Sequence, residues 1–95
     1  MFIAFLRFTE ARSRASQYME EHKRWLQAGF ADGAFLLAGS IEPGQGGAIL
    51  AHQISREELE TRLSADPFVA EGIVQTEIVE IDPARADPRL EFLVS

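Results

Sequence analysis

The chain of 95 residues contains no cysteine, which excludes disulfides, thiolate metal sites and cysteine nucleophiles together. It has two histidines, His22 and His52, so any metal site would have to lean on carboxylates. Basic residues are scarce: nine Lys and Arg stand against fifteen Asp and Glu, a formal net charge of −6 at pH 7. Nucleic-acid phosphates are held by clustered Lys and Arg, and anionic membrane surfaces by polybasic segments. The scattered basic residues form neither, so nucleic acid and membrane are both excluded as expected partners. Long apolar runs are missing too. The apolar opening Met1–Leu6 is broken by Arg7, lacks a basic leading region and is too short for a signal peptide or a membrane span. A cytoplasmic protein is the expectation.

What is present is ordinary globular composition, 46% hydrophobic and 25% charged. The length suits one domain. A chain this short buries only about 60–65% of the surface its unfolded form exposes, which is a reason to look for a partner subunit. Phe2–Phe8 reads as a strand, apolar on both parities. Thr9–Ser13 is a polar turn, with Thr9 or Ser13 as a helix cap. From Ser13 to Phe30 the period becomes helical: Ala15, Tyr18, Met19, His22, Trp25, Leu26 and Gly29 share one stripe. Ala34–Ile41 is a second strand, 42–47 a glycine-rich turn, and Ala48–Gln53 a third strand, again apolar on both parities. Ser55 and Glu58 have capping-box spacing for a second helix, which stops near Ser64 ahead of Pro67. Ile73–Ile81 is the fourth strand. The Asp-Pro steps of Asp82–Arg89 read as a linker, and Leu90–Val94 is apolar enough to dock, for instance as an added edge strand.

The order β-α-β-β-α-β predicts an α+β, ferredoxin-like domain over residues 1–82, with a C-terminal arm over residues 83–95. Four antiparallel strands carry both helices on one face, and the first and third strands are central. Two helices cannot cover both faces of such a sheet. An exposed apolar face of several hundred Å2 is uncommon on a monomer, so a homodimer is expected.

His22 is the sharpest candidate for chemistry, because it sits on the apolar stripe rather than on the charged side of its helix. It reads either as a core histidine with satisfied ring nitrogens or as a general acid or base. Asp66 reads as the N-cap of a turn begun by Pro67. It also reads as the carboxylate that fixes the His22 ring in one tautomer, and the two roles are compatible. Arg7, the charge inside the first strand, is either a surface residue with a snorkelling stem or a clamp for a substrate carboxylate or enolate. Ser40 is a turn residue or a hydrogen-bond donor at a strand end. His52 reads as a solvent-touching strand residue, and no matched ligand set points to a metal. The 44–47 loop lacks the Lys-Ser/Thr of a phosphate loop.

His22-Lys-Arg-Trp25-Leu26, Leu37-Ala-Gly-Ser40, the Ser55–Glu58 helix start and Ala65-Asp-Pro-Phe68 together resemble the YCII-related (YciI-like) domains, in matching order from Phe2 to Ile81. Ser40 stands where many members have proline. The resemblance implies a dimeric α+β barrel fold and a pocket with a His–Asp pair at His22 and Asp66. It also implies kinship with a dehydrochlorinase of chloroaromatic breakdown and with muconolactone isomerases. Joined to the histidine on the stripe, it leads to a small cofactor-independent enzyme of the lyase or isomerase kind. His22 would move a proton beside a carbonyl of a small anionic or cyclic substrate, Asp66 would orient it, and Arg7 and Ser40 would bind. A non-catalytic small-molecule-binding or dimeric assembly module is the alternative.

Overall fold

Strand β1 (Phe2–Phe8) alternates in burial. Phe2, Ala4 and Leu6 are sealed on one face, while Ile3 and Phe5 lie partly covered on the other. In the computed structural model, which describes residues 1–94, β1 is central in a four-stranded sheet of order β2-β3-β1-β4. Strands β2 (Phe35–Ile41), β3 (Gly46–Ala51) and β4 (Val74–Glu80) complete it, and every neighbouring pair is antiparallel. The α+β architecture and the central place of the first and third strands are those expected from the sequence.

The expected turn after β1 is wound into a 3-10 helix over Glu10–Arg14, because the Thr9 hydroxyl accepts the Ala11 N–H at 3.1 Å. Helix α1 (Ala15–Ala31) follows. Ala15, Tyr18, Met19, His22, Trp25, Leu26 and Gly29 are its covered positions, and the residues between them are exposed. Helix α2 (Arg56–Ser64) begins with a full capping box. The Ser55 hydroxyl accepts the Glu58 N–H, and the Glu58 carboxylate accepts the Ser55 N–H, each at 3.1 Å. The Asp66-Pro67 step starts a third short helix, α3 (Pro67–Ala70). The core lies between sheet and helices, where Ala4, Ala51, Leu59 and Ile73 are fully buried. Gly29 lets α1 approach β2: a Cβ there would run into the ring of Phe35.

The opposite face of the sheet carries Ile3, Phe5 and Leu50, all partly exposed, with Leu37 63% exposed and Val79 39% exposed. Among the described residues these side chains stand outside the core that the helices cover. Leu90–Val94 is not an added edge strand. Pro88–Leu93 forms a 3-10 helix, because the Asp87 carboxylate accepts the Arg89 N–H at 2.9 Å and Pro88 fills a first-turn position that needs no N–H. Phe92 meets His52 edge-on at 5.6 Å. Among the described residues no helix is long and apolar enough to cross a membrane.

Two outcomes test this packing. Gly29→Ala overpacks the α1–β2 contact and is expected to lower unfolding stability by about 1–3 kcal/mol in urea titrations; an unchanged midpoint would contradict it. The Ser55 amide, then its hydroxyl, holds the Glu58 carboxyl below its ordinary value. The stabilisation from this cap is therefore complete above the usual carboxylate range and is lost as pH falls through the lowered value. The gap in melting temperature between the wild type and Glu58→Ala should shrink from neutral pH to pH about 3; a gap independent of pH would contradict the assignment.

Candidate active site

The Asp66-Pro67-Phe68 step builds most of the site. Asp66 is extended (φ −67°, ψ 126°) and caps α3, its Oδ1 accepting the Phe68 N–H at 3.2 Å. The same Oδ1 lies 2.8 Å from Nδ1 of His22, across from α1. One carboxylate oxygen thus serves both roles considered for Asp66, cap and ring partner. Phe68, two residues on, lays its ring parallel to the imidazole, with centroids 4.0 Å apart and planes 3° apart. The imidazole is held in its plane by Asp66 and on its face by Phe68.

Helix α1 is pinned so that this meeting occurs. Trp25, one turn after His22, donates from Nε1 to the Arg62 carbonyl at 2.9 Å, near the end of α2 and just ahead of Asp66. Arg62 in turn bonds Asp32, next to the end of α1, at 2.8 Å. The two helices are therefore tied to one side of the His–Asp contact, after His22 in α1 and ahead of Asp66.

Asp66 has no exposed surface, and the His22 side chain is 17% exposed. Buried carboxylates are expensive unless paired and hydrogen-bonded, and Oδ1 has both partners. Oδ2 is buried with no partner among the described residues. Against a carboxylate the imidazole Nδ1 donates, which leaves Nε2 as the nitrogen with a free lone pair in the neutral ring. Nε2 takes no hydrogen bond from a described residue and is not sealed, since Asp66 Oδ2 is the buried side-chain polar atom left unpartnered.

His22 borders a cavity of about 400 Å3 between α1 and the β2–β3 hairpin, a volume in the range of small-molecule sites. Its walls are mostly apolar, from Leu6, Phe8, Met19, Leu26, Ile49 and Phe68, with the glycines of the hairpin as floor. Ser40 lies on the lining: opposite Gly47 in the β2–β3 register, it stands on the helix side of the sheet. Glu42, at the start of the hairpin turn, also reaches the lining.

Arg7 does not join this group. Period-two alternation sends Leu6 and Phe8 to the cavity side and Arg7 to the other face. There its Nη1 bonds Glu77 Oε1 at 2.6 Å, and its guanidinium rests over Phe5 at 4.6 Å. The expected anion clamp is therefore absent from the cavity of a single chain. His52, at the far end of β3, is not part of the lining. Among the described residues no group of three or more His, Asp or Glu side chains gathers as a metal site. Phe68 stands in the sequence as part of the Asp-Pro-Phe step and as a core or interface aromatic, and Pro67 at the first helical position is the signal that its side chain is projected from a fixed turn. Glu42 has the sequence context of a plain turn residue.

A family model described as the YCII-related domain matches residues 1–82. No curated protein matches the chain by sequence. Among solved structures, the chain is similar to the 5-chloro-2-hydroxyhydroquinone dehydrochlorinase TftG from Burkholderia phenoliruptrix AC1100, in complex with 2,5-dihydroxybenzoquinone. The TM-score is 0.66 at 15% sequence identity, over 85% of this chain and 93% of that one. At such identity the likeness establishes the fold alone. With the family model spanning most of the chain, this protein belongs to the family of YCII-related domains.

Proposed function

We propose that the protein is a small enzyme of the lyase or isomerase kind that moves a proton on a cyclic, oxygenated substrate. The observation that carries this reading is the 2.8 Å His22–Asp66 contact beside an apolar cavity, with Nε2 unpartnered. In this mechanism Nε2 takes a proton from an O–H, or from a C–H beside a carbonyl. The electron pair of the broken bond is left as a phenolate shared with the ring in the first case, and as an enolate through the carbonyl in the second. It then either expels a leaving group such as halide or is reprotonated at another carbon by the imidazolium. Asp66 stabilises the imidazolium while it exists, the role of a carboxylate behind a catalytic histidine. Phe68 keeps the ring from rotating away.

The similarity to a dehydrochlorinase bound to a dihydroxybenzoquinone supports the choice of ring substrate and of elimination as the first reaction to try. The apolar walls and the cavity volume suit a single six-membered ring. The open sheet face supports the second part of the proposal, that two copies pair through Ile3, Phe5, Leu37, Leu50 and Val79. Burying these side chains against a second copy removes apolar surface from water at roughly 25 cal/mol per Å2.

His22→Gln is expected to retain the circular dichroism of the wild type and to lower kcat by at least about 10²-fold. The assay is proton or chloride release from a panel of quinols that includes 5-chloro-2-hydroxyhydroquinone. Asp66→Asn, which keeps the cap but not the charge, should lower kcat with little change in KM. Wild-type turnover by His22→Gln would end the proposal. Sedimentation velocity at micromolar concentration should show about twice the 10.6 kDa chain mass; a lone monomer peak would remove the dimer.

A further inference from the structure

We infer that the cavity admits uncharged ring compounds and turns away carboxylates, and that Glu42 sets this preference. The inference rests on the cavity being a substrate site and narrows the substrate class. Of the side chains on the lining, those of His22, Ser40 and Glu42 carry polar atoms able to form strong hydrogen bonds, and no Lys or Arg is among them. Glu42 has no hydrogen bond or ion pair from another described residue, so its charge is not neutralised inside the chain. It stands at the start of the hairpin turn, exposed to solvent and bordering the cavity.

The arginines nearby stand off the lining. Arg12 approaches the same turn, but its Nη2 donates to the Gly44 carbonyl at 2.9 Å and its guanidinium covers Phe8 at 4.7 Å. Arg14 bonds Glu71 at 3.3 Å. Arg7 is held by Glu77 on the other face. His22 can become cationic, yet its charge is then matched by Asp66 at 2.8 Å, so the pair offers no net positive charge to a ligand. A carboxylate entering the cavity would shed water against apolar walls without gaining a cationic partner, and would face Glu42 and a chain of net charge −6. A neutral ring bearing hydroxyl groups meets none of these costs. Its O–H groups find an acceptor at Nε2 and a donor at Ser40.

The test uses two single-ring probes that differ chiefly in charge, hydroquinone and benzoate, titrated at neutral pH into the 15N-labelled full chain. Hydroquinone should bind, shifting the amides of His22, Ser40 and Phe68, and benzoate should bind at least about tenfold more weakly. Glu42→Lys should raise benzoate affinity about tenfold and leave hydroquinone near its wild-type affinity. Glu42→Gln should give an intermediate gain for benzoate, which separates loss of repulsion from new attraction. Benzoate binding the wild type as tightly as hydroquinone, or Glu42→Lys without effect on benzoate, would overturn the charge preference while the His22 turnover assay stands apart. Failure of hydroquinone to shift any cavity residue would overturn the preference and the ring-binding site together.

Discussion

The bond between His22 Nδ1 and Asp66 Oδ1 is the contact on which the rest of the molecule converges. It joins the middle of α1 to the N-cap of α3, elements separated by the whole β2–β3 hairpin and α2. Because Oδ1 also caps α3 through the Phe68 N–H, the side chain that orients the imidazole is the one that starts the helix bearing the stacking ring. Local folding and site assembly are therefore one event. The carboxylate is stable in a fully buried place because both of its partners arrive with the fold. Trp25 and Arg62 hold α1 and α2 in the register that this requires.

Much of this was legible in the chain because periodicity reports which face a residue occupies. The stripe from Ala15 to Gly29 is the covered side of α1 residue for residue, and it carries His22 inward. Apolar residues on both parities of β1 and β3 correspond to central strands. Asp-Pro is a helix start, and it is one here. What failed was information about which side of a strand meets which neighbour. Arg7 looked available to a substrate, but alternation turns it toward Glu77. Leu90–Val94 has apolar strand composition, but the Asp87 cap and Pro88 wind it into a 3-10 turn first. Glu42 could not be read as part of a cavity, because a turn residue acquires its neighbours only when β1, α1 and the hairpin are assembled.

The charge balance and the cavity point in the same direction. A chain with an acidic surplus and no basic side chain on the cavity lining is poorly suited to nucleic acid, phosphates or acids. It is well suited to flat, uncharged rings that need one proton moved. Specificity on this view comes from apolar walls, a glycine floor and a single acidic side chain at the mouth. The proposed chemistry would come from a histidine whose Nδ1 is already engaged by Asp66. On the proposed function, catalysis and pairing would use opposite surfaces of one sheet.

The most direct measurement is the long-range 1H–15N spectrum of the His22 imidazole in the labelled full chain, with and without hydroquinone. The geometry predicts a proton on Nδ1 toward Asp66, and a ligand response concentrated at Nε2. A neutral ring carrying its proton on Nε2, or an imidazole indifferent to the ligand, would contradict the proposed site.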